Sequence, residues 1–251
     1  MRKFFATSNH PLARFTRRMR RWRFSLPAPQ LIVWPLLKLY LAGRFVWYTF
    51  RRVFIAEPLF KAYCTKYGRG LHTDIFIHWI EGKGSIIIGD DVLVDGKCGF
   101  AFASRFSDNP TLEIGDHTGI GHLCSFTVAR KITIGRHCRI ASGVWMFDSP
   151  GHPIDPDARR AGRPPNPEDA RPISIGDNVW IGRDAIIYPG VTVGNNSIIS
   201  AAAVVTADVP ENTVVAGNPA RKIMAIPSPK PVDGVPAPAI ETGRTPERAQ
   251  R

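Results

Sequence analysis

Residues 172–205 read PISIGDNVWIGRDAIIYPGVTVGNNSIISAAAVV, and an aliphatic side chain returns at every sixth position. These aliphatic anchors are Ile175, Ile181, Ile187, Val193, Ile199 and Val205. A compact side chain stands four residues after each of the first five anchors, at Val179, Ala185, Val191, Ser197 and Ala203. A period of six fits neither an amphipathic helix nor an alternating strand. It predicts a solenoid in which three six-residue segments complete one triangular turn, with the anchors pointing inward.

Two other kinds of small residue recur at fixed places in the repeat. Glycine directly follows three anchors, at Gly176, Gly182 and Gly194, where we expect it to let the chain bend without a Cβ clash. Cysteine occupies the compact inward position, four residues after an anchor, at Cys98, Cys124 and Cys138. These cysteines are therefore predicted to be reduced, inert fillers of the core rather than disulfide partners or nucleophiles.

The repeat extends back towards Leu71 with two long interruptions. An insertion of eight residues falls near 101–110, and one of 23 residues falls within 147–171. Insertions in a solenoid form loops at one edge of the stack, and such loops commonly build binding sites. We therefore expect the second loop to carry function.

The chain of 251 residues is 44% hydrophobic, enough to bury a sizeable core. We predict three parts: a basic, aromatic helical arm over 1–70, the solenoid over 71–226, and a disordered tail over 227–251. The tail is rich in proline and lacks apolar periodicity.

The net charge of +12 belongs to the arm. The first 56 residues contain twelve Lys or Arg and no acidic residue, whereas the remaining residues carry 21 of each sign. No nucleic-acid recognition motif accompanies this charge, so we do not predict a nucleic-acid partner.

Residues 31–50 of the arm form an apolar stretch that contains Pro35, Lys38 and Arg44. A cation at the centre of a spanning helix costs about 2.5–3.5 kcal/mol, so a helix in the membrane interface fits better than a span. The alternative is a helix that caps the open end of the solenoid. Both interpretations stay open, and the pattern of a cleavable signal is not evident. We expect a cytoplasmic protein, with residues 1–56 as a peripheral contact to the inner face of the cytoplasmic membrane in the first interpretation.

The long insertion contains one side chain that titrates near neutral pH, His152, between Gly151 and Pro153. Seven prolines between Pro150 and Pro172 stiffen the loop and lower the entropy cost of ordering it. A lone histidine is more often structural or solvated than catalytic. Its place on a stiff loop at a repeat edge nevertheless makes His152 the first catalytic candidate.

Four blocks of sequence together carry a family resemblance. They are HPIDP at 152–156, IGDNVWIG at 175–182, PGVTVG at 189–194 and VAGNPAR at 215–221. The chain resembles the maltose and galactoside O-acetyltransferases of the hexapeptide-repeat acyltransferase superfamily. The resemblance implies an all-β fold, a left-handed parallel β-helix. It also implies a homotrimer with active sites between neighbouring subunits, and acetyl-CoA as the donor.

The resemblance also implies roles for single residues. His152 would be the general base that takes the proton of the acceptor hydroxyl, a task suited to imidazole with its unperturbed pKa of about 6.5. Positions that line the acetyl-CoA path in the family correspond to Trp180, Arg183, Ala202, Thr206, Asn218 and Arg221. No metal is expected, because this transfer needs none.

The chain departs from the sugar acetyltransferases around the acceptor. An Asn and an Asp of that family correspond to Leu123 and Val128 here, and a Lys near the CoA phosphates corresponds to Ala207. We therefore expect a remodelled acceptor pocket, with Asp148, Leu123 and Arg105 as candidate substrate contacts. Either Asp148 or Asp155 could orient His152.

The sequence thus predicts an O-acetyltransferase that acts on a saccharide hydroxyl, in a polysaccharide or lipid-linked precursor. Two alternatives are N-acylation of an amino-sugar nucleotide and a non-catalytic scaffold. A metalloenzyme like the γ-class carbonic anhydrases is prompted by His117 and His122, but the register fails because position 127 is Thr.

Overall fold

The structure is a computed structural model that describes residues 2–21 and 29–227. The chain separates into two compact units, Met1–Tyr48 and Thr49–Arg251. Residues 22–28 of the arm and residues 228–251, which include nearly all of the predicted disordered tail, lie outside the described residues.

The N-terminal part of the chain is helical. It contains α1 (Arg2–Thr7), α2 (Pro11–Arg21) and α3 (Gln30–Arg51), followed by a π-helical turn (Arg52–Ala56) and α4 (Glu57–Tyr63). The continuous helix Gln30–Tyr63 is the one described helix that is long and apolar enough to cross a membrane. No residue of α3 is buried.

Short strands make up most of the rest of the chain. The first two turns contain β1 (Lys66–Tyr67), β2 (His72–Thr73), β3 (Trp79–Glu81), β4 (Ser85–Ile88), β5 (Leu93–Val94) and β6 (Gly99–Phe102). The next two contain β7 (Thr111–Ile114), β8 (Gly119–Ile120), β9 (Ser125–Val128), β10 (Lys131–Ile134), β11 (Arg139–Ile140) and β12 (Trp145–Phe147). The last two contain β13 (Ile173–Ile175), β14 (Trp180–Ile181), β15 (Ile186–Ile187), β16 (Thr192–Val193), β17 (Ile198–Ile199) and β18 (Val204–Val205). A hairpin of β19 (Thr213–Gly217) and β20 (Ala220–Ala225) follows.

Strands β1 to β18 are placed in strict rotation into three sheets, and β19 and β20 both join sheet B. Sheet A has the order β1-β4-β7-β10-β13-β16, sheet B has β2-β5-β8-β11-β14-β17-β19-β20, and sheet C has β18-β15-β12-β9-β6-β3. All pairs are parallel except β19 with β20. We call residues 66–225 the β coil. This arrangement confirms the prediction of a mostly β fold of parallel strands behind a helical segment.

The β coil begins earlier than the predicted boundary at residue 71. Strand β1 already pairs with β4, with Lys66 opposite Ile87 and Tyr67 opposite Ile88. The sequence prediction was wrong here because β1 lacks an aliphatic anchor: Lys66 and Tyr67 are both exposed.

The six-residue period places its anchors inside the β coil as predicted. Ile134 lies opposite Ile114 in one neighbouring turn and Ile175 in the other, and all three are at most 2% exposed. The compact positions four residues after the anchors are also buried, from Cys98 to Ala203. Each buried aliphatic side chain contributes about 1.5–3 kcal/mol, so the stacked anchors are the main source of stability.

The glycines after the anchors have a different role from the predicted bend. A Cβ on Gly182 would collide with the backbone nitrogen of Ala201, and one on Gly194 with that of Glu211, in the next turn of the coil. The left-handed bends instead fall at the residue three positions after the anchor, such as Asn178 (φ 55°). The glycines are needed because successive turns stack too closely for a Cβ.

Replacing Gly182 by Ala should therefore destabilise the β coil by about 2 kcal/mol or more, because backbone atoms must move to admit the methyl group. Gly119→Ala is the matched control, since its Cβ would meet only the flexible Arg139 side chain, with Cδ at 3.8 Å and Nη1 at 3.9 Å. We expect that control to change the free energy of unfolding by less than about 0.5 kcal/mol in denaturant titrations. Equal losses in both variants would contradict the stacking explanation.

The three inward cysteines are free and buried, as predicted, but they also link the turns. The thiol of Cys98 donates to Gly121 O at 3.2 Å, that of Cys124 to Ala141 O at 3.2 Å, and that of Cys138 to Gly176 O at 3.1 Å. Burial raises the pKa of the Cys138 thiol, which keeps it protonated as a donor.

The first turn of the β coil is covered by α4, which belongs to the same compact unit. Phe60 of α4 is 2% exposed, and its ring lies 4.7 Å from that of His78 and 5.6 Å from that of Phe100. Helix α4 thus supplies apolar cover of the kind that a solenoid end requires, and the cap interpretation of the 31–50 segment stays a prediction.

His78, beneath this cap, should make stability depend on pH. Its Nδ1 accepts from Cys98 N at 3.3 Å, its Nε2 is buried without a protein partner, and burial lowers its pKa from 6.5 to about 4. Burial disfavours the protonated form of His78 in the folded protein. The contribution of neutral His78 to stability is therefore fully present above pH 6.5 and is lost as the pH falls towards 4. The loss is at most about 3 kcal/mol.

Denaturant titrations between pH 7 and 4 would measure this loss against the variant His78→Asn, which can still accept from Cys98 N but does not titrate. We expect a shallower pH dependence in the variant. The same dependence in both proteins would assign the acid sensitivity to other groups.

Candidate functional site

The long insertion, residues 148–172, leaves the β coil between β12 and β13, at the edge where sheet C meets sheet A. It contains the short helix α5 (Pro156–Arg160) and a 3₁₀ turn (Pro167–Asp169). Asp155 caps α5 by accepting from Asp157 N at 2.7 Å and Ala158 N at 3.0 Å, as expected for an aspartate at this position. The predicted insertion is thus an ordered loop.

Asp148 fastens the base of this loop to the preceding turn. Its side chain is fully buried, and its carboxylate accepts from Ala129 N at 2.6 Å, Arg130 N at 2.7 Å and Lys131 N at 2.8 Å. Its carbonyl accepts from Arg171 N at 2.8 Å, which closes the loop. Burial raises the pKa of the Asp148 carboxyl, and the N–H donors act in the opposite direction.

This geometry corrects the prediction of Asp148 as a substrate contact or as the partner of His152. Both carboxylate oxygens already bind backbone amides, and the group is closed to solvent. Asp155, the other proposed partner of His152, uses Oδ1 as the cap of α5. Asp148 is instead the residue that positions the loop carrying His152.

His152 itself is exposed, and the backbone around it is well fixed. Gly151 before it has φ 77°, a left-handed conformation that favours glycine, and Pro153 after it is buried. The Arg159 guanidinium donates from Nη1 to Pro153 O at 2.9 Å and to Ile154 O at 3.0 Å. The imidazole is thus presented to solvent from a fixed turn.

A cavity of about 320 Å³ opens beside His152, where the two insertions meet. Arg105 and its neighbours Ser104 and Phe106 line one side of it, Ser149, Gly151 and Pro165 line the other, and Thr127 of β9 lies between them. The structure thus brings Arg105 next to the His152 turn, as a shared site requires.

The structure places the remaining predicted acceptor residue elsewhere. Leu123 lies at the edge between sheets B and C, with φ 60° and a side chain 56% exposed. Val128 is fully buried in the core. Leu123 and Arg105 therefore lie at different edges of the β coil within one chain, and the role of Leu123 as a substrate contact stays a prediction.

Three outward aromatic residues beside the cavity escaped the sequence reasoning. The Phe147 ring lies 5.0 Å from the Trp145 ring and 4.9 Å from the Tyr188 ring, and Phe147 pairs in the sheet with Thr127 of the cavity wall. Trp145 is 46% exposed and Tyr188 is 41% exposed. The alternation of Trp145 and Phe147 around the buried Met146 was the available signal.

Trp180 lies on a separate groove, on the outer face of sheet B. The groove has a volume of about 230 Å³, and Gly119, Gly121 and Ala141 keep it open next to Trp180 and Arg139. The Arg139 guanidinium donates to His117 O at 2.7 Å, which fixes this wall. The groove and the cavity beside His152 share no lining residue in the described part of the chain.

The other predicted donor contacts lie around the last turns. Arg183 pairs with Asp184 at 3.4 Å, and its carbonyl accepts from Ala202 N at 2.8 Å, so Arg183 and Ala202 are neighbours at one edge. Thr206 follows β18 and is exposed. Asn218 and Arg221 belong to the terminal hairpin, where Arg221 pairs with Ala216.

Within residues 2–21 and 29–227, no group of three or more His, Cys, Asp or Glu side chains is arranged to hold a metal ion. His117 lies at the edge between sheets A and B, where its ring stacks on His137 at 4.9 Å. His122 lies at the edge between sheets B and C, and its ring meets Phe76. The pair that prompted the carbonic anhydrase comparison is therefore split between two edges.

Known proteins share the repeat and the sequence of this chain. The family model described as bacterial transferase hexapeptide (six repeats) matches residues 172–207. The galactoside O-acetyltransferase of Escherichia coli K12 is 44% identical over 157 residues, which cover 59% of this chain and 70% of that enzyme. The chain belongs to the hexapeptide-repeat acyltransferase family. This confirms the resemblance found in the sequence.

Two further proteins are similar to this hexapeptide-repeat protein. One matches a shorter part of its sequence, and the other shares its fold. The chain spans about half the length of a candidate acetyltransferase of Saccharomyces cerevisiae, with 44% identity over 113 residues, 45% of this chain and 55% of that one. A variant of AntD, an N-acyltransferase from Bacillus cereus solved with dTDP-4-amino-4,6-dideoxyglucose and coenzyme A, superimposes with a TM-score of 0.56 at 21% identity. The superposition covers 68% of this chain and 88% of AntD.

The role of Asp148 can be tested with the variant Asp148→Asn. Removing the charge leaves buried N–H groups poorly matched, so we expect a loss of about 2 kcal/mol or more in unfolding free energy and faster tryptic cleavage within residues 148–172. Asp157→Asn, on the same loop but exposed and paired with Arg160 at 3.0 Å, should cost less than about 0.5 kcal/mol. A loop equally resistant to trypsin in both variants would contradict the anchoring role.

Proposed function

We propose that this protein transfers an acetyl group from acetyl-CoA to a hydroxyl of a saccharide, with His152 as general base. The observation that carries the proposal is the cavity of about 320 Å³ between the two insertions, with Gly151 of the fixed His152 turn in its wall. Membership of the family of the galactoside O-acetyltransferase supports the reaction type.

In this proposal the neutral His152 imidazole accepts the proton of the acceptor hydroxyl as its oxygen bonds to the thioester carbonyl carbon. The tetrahedral adduct then collapses, the C–S bond breaks, and the imidazolium returns the proton to the departing CoA sulfur. The exposed ring and its fixed turn suit this shuttling, because a base must reach the proton it removes with little rearrangement.

The walls of the cavity support a saccharide as the acceptor. Ser104, Arg105, Thr127 and Ser149 supply polar groups for sugar hydroxyls. The neighbouring exposed ring of Trp145 supplies an apolar face for the C–H side of a sugar. We propose a polysaccharide or lipid-linked precursor, because the platform of Trp145, Phe147 and Tyr188 extends the site beyond the room needed for one sugar.

We further infer a left-handed β-helix and a homotrimer that completes the active site. The acetyl-CoA path is proposed along Trp180, Arg183, Ala202, Thr206, Asn218 and Arg221. In one chain the groove at Trp180 lies on sheet B and the cavity at the edge of sheets C and A. A neighbouring subunit would bring the donor groove of one chain to His152 of another.

Two variants test these assignments. His152→Ala should lower kcat by about 10²–10⁴-fold and leave acetyl-CoA affinity unchanged, since the base acts only in the chemical step. Trp180→Ala should weaken acetyl-CoA binding in calorimetry. His137→Ala, an exposed histidine at another edge, is the control and should match the wild type in both assays. Absence of acetyl-CoA binding by the wild type at millimolar concentration would leave a scaffold as the function.

Two further experiments test whether the acceptor atom is oxygen or nitrogen and whether the site is shared between subunits. Transfer to amine acceptors but not to hydroxyl acceptors would replace O-acetylation by N-acylation. Co-expression of His152→Ala and Trp180→Ala subunits should restore activity above either variant alone, because mixed trimers would contain an intact interface. No restoration in isolated mixed oligomers would contradict a site shared between subunits.

A further inference from the structure

The helix α2 has an exposed apolar row opposite its arginines. Leu12, Phe15 and Met19 are spaced by three and four residues, and each is at least half exposed. At about 100° per residue, Arg14 and Arg17 lie on the other side of the helix. An amphipathic helix whose apolar row stays uncovered is typical of peptides that lie in a membrane interface.

The helix α3 carries a second exposed row. Its members, Ile32, Leu36, Leu39 and Val46, follow helical spacing, and each is at least 60% exposed. Lys38 and Arg44 lie more than about 100° from the centre of this row. Lys38 Nζ lies 4.8 Å from the ring centroid of Trp34, and the Arg44 guanidinium carbon lies 5.7 Å from that of Tyr40. The cations thus share the other side of the helix with aromatic rings, and the exposed Phe45 and Leu37 lie there as well. The row is therefore the side of α3 that carries no cation, and not its whole apolar surface.

The positive charge of the arm indicates which kind of surface binds these apolar rows. The first 56 residues hold twelve Lys or Arg and no acidic residue, so the surface that receives them must be rich in negative charge and also accept apolar side chains. A bilayer with anionic lipids provides both, the headgroups for the cations and the upper acyl region for the rows. A strand of nucleic acid offers charge without the apolar layer.

The position of the cations also decides the orientation of α3. The helix Gln30–Tyr63 is long and apolar enough to span a membrane, but a span would place Lys38 and Arg44 near the centre of the hydrocarbon, at about 2.5–3.5 kcal/mol each. A helix in the plane of the interface leaves both cations among the headgroups while the row of Leu39 enters the lipid.

We propose that α2 and α3 each lie in the plane of an anionic bilayer, with their exposed rows in the acyl region and their cations at the headgroups. The cytoplasmic leaflet carries the anionic lipids of a cell membrane, so this is the surface we assign. The proposal rests on the arm alone and is independent of the proposed acetyl transfer.

Sedimentation of the full chain with vesicles tests the surface. Binding to vesicles that contain phosphatidylglycerol should be at least about tenfold tighter than binding to pure phosphatidylcholine, and it should weaken as salt is raised. Absence of binding to the anionic vesicles by a protein with native helical content would overturn the proposal and assign the rows to a protein partner.

A pair of leucines tests the orientation. Leu39→Asp places a charge in the middle of the row, whereas Leu37→Asp makes the same change in composition about 145° from the row's centre. An in-plane helix should lose at least about tenfold in partitioning in the first variant and less than about threefold in the second. Equal losses would indicate a spanning helix and overturn the in-plane proposal. Unchanged unfolding midpoints would show that both variants keep the β coil intact.

Discussion

Backbone stacking between successive turns is the constraint on which this structure depends. Each turn donates to the next through bonds such as Gly135 N to Ile175 O at 2.8 Å, and parallel strands joined in this way lie about 4.8 Å apart. At that spacing the anchors of neighbouring turns touch along the whole core. The same spacing leaves no room for a Cβ after Gly182, so the stacking that builds the core also dictates where glycine must stand.

The stacking also explains how distant residues form one site. The insertion containing Arg105 and the insertion containing His152 leave the same edge of the β coil, two turns apart. The turn between them crosses this edge with only residues 129–130, and this short crossing leaves a gap beneath the two loops. The backbone of the short crossing is held by Asp148, so one carboxylate joins this crossing to the base of the loop that carries His152.

The arm and the β coil apply the hydrophobic effect in opposite ways. In the β coil every anchor is buried, and the chain needs no further partner to remove it from water. In α2 and α3 the apolar rows stay exposed while all the charge has one sign, a pattern typical of a surface that binds a partner. The protein therefore combines the fold of its family with a basic, apolar arm of the kind that lies in a membrane interface.

The sequence by itself determined the six-residue period, the inward anchors and cysteines, the two insertions and the family, and it named His152 as the catalytic candidate. Each of these depends on residues within one or two segments. Only the tertiary structure decided that Asp148 anchors a loop, that glycine serves stacking, that α4 covers the first turn, and that Arg105 meets the His152 turn while Leu123 of the same chain does not. These facts depend on which residues face one another across turns. That pairing is set by the lengths of the insertions and the register of non-local strands, which a local repeat does not encode.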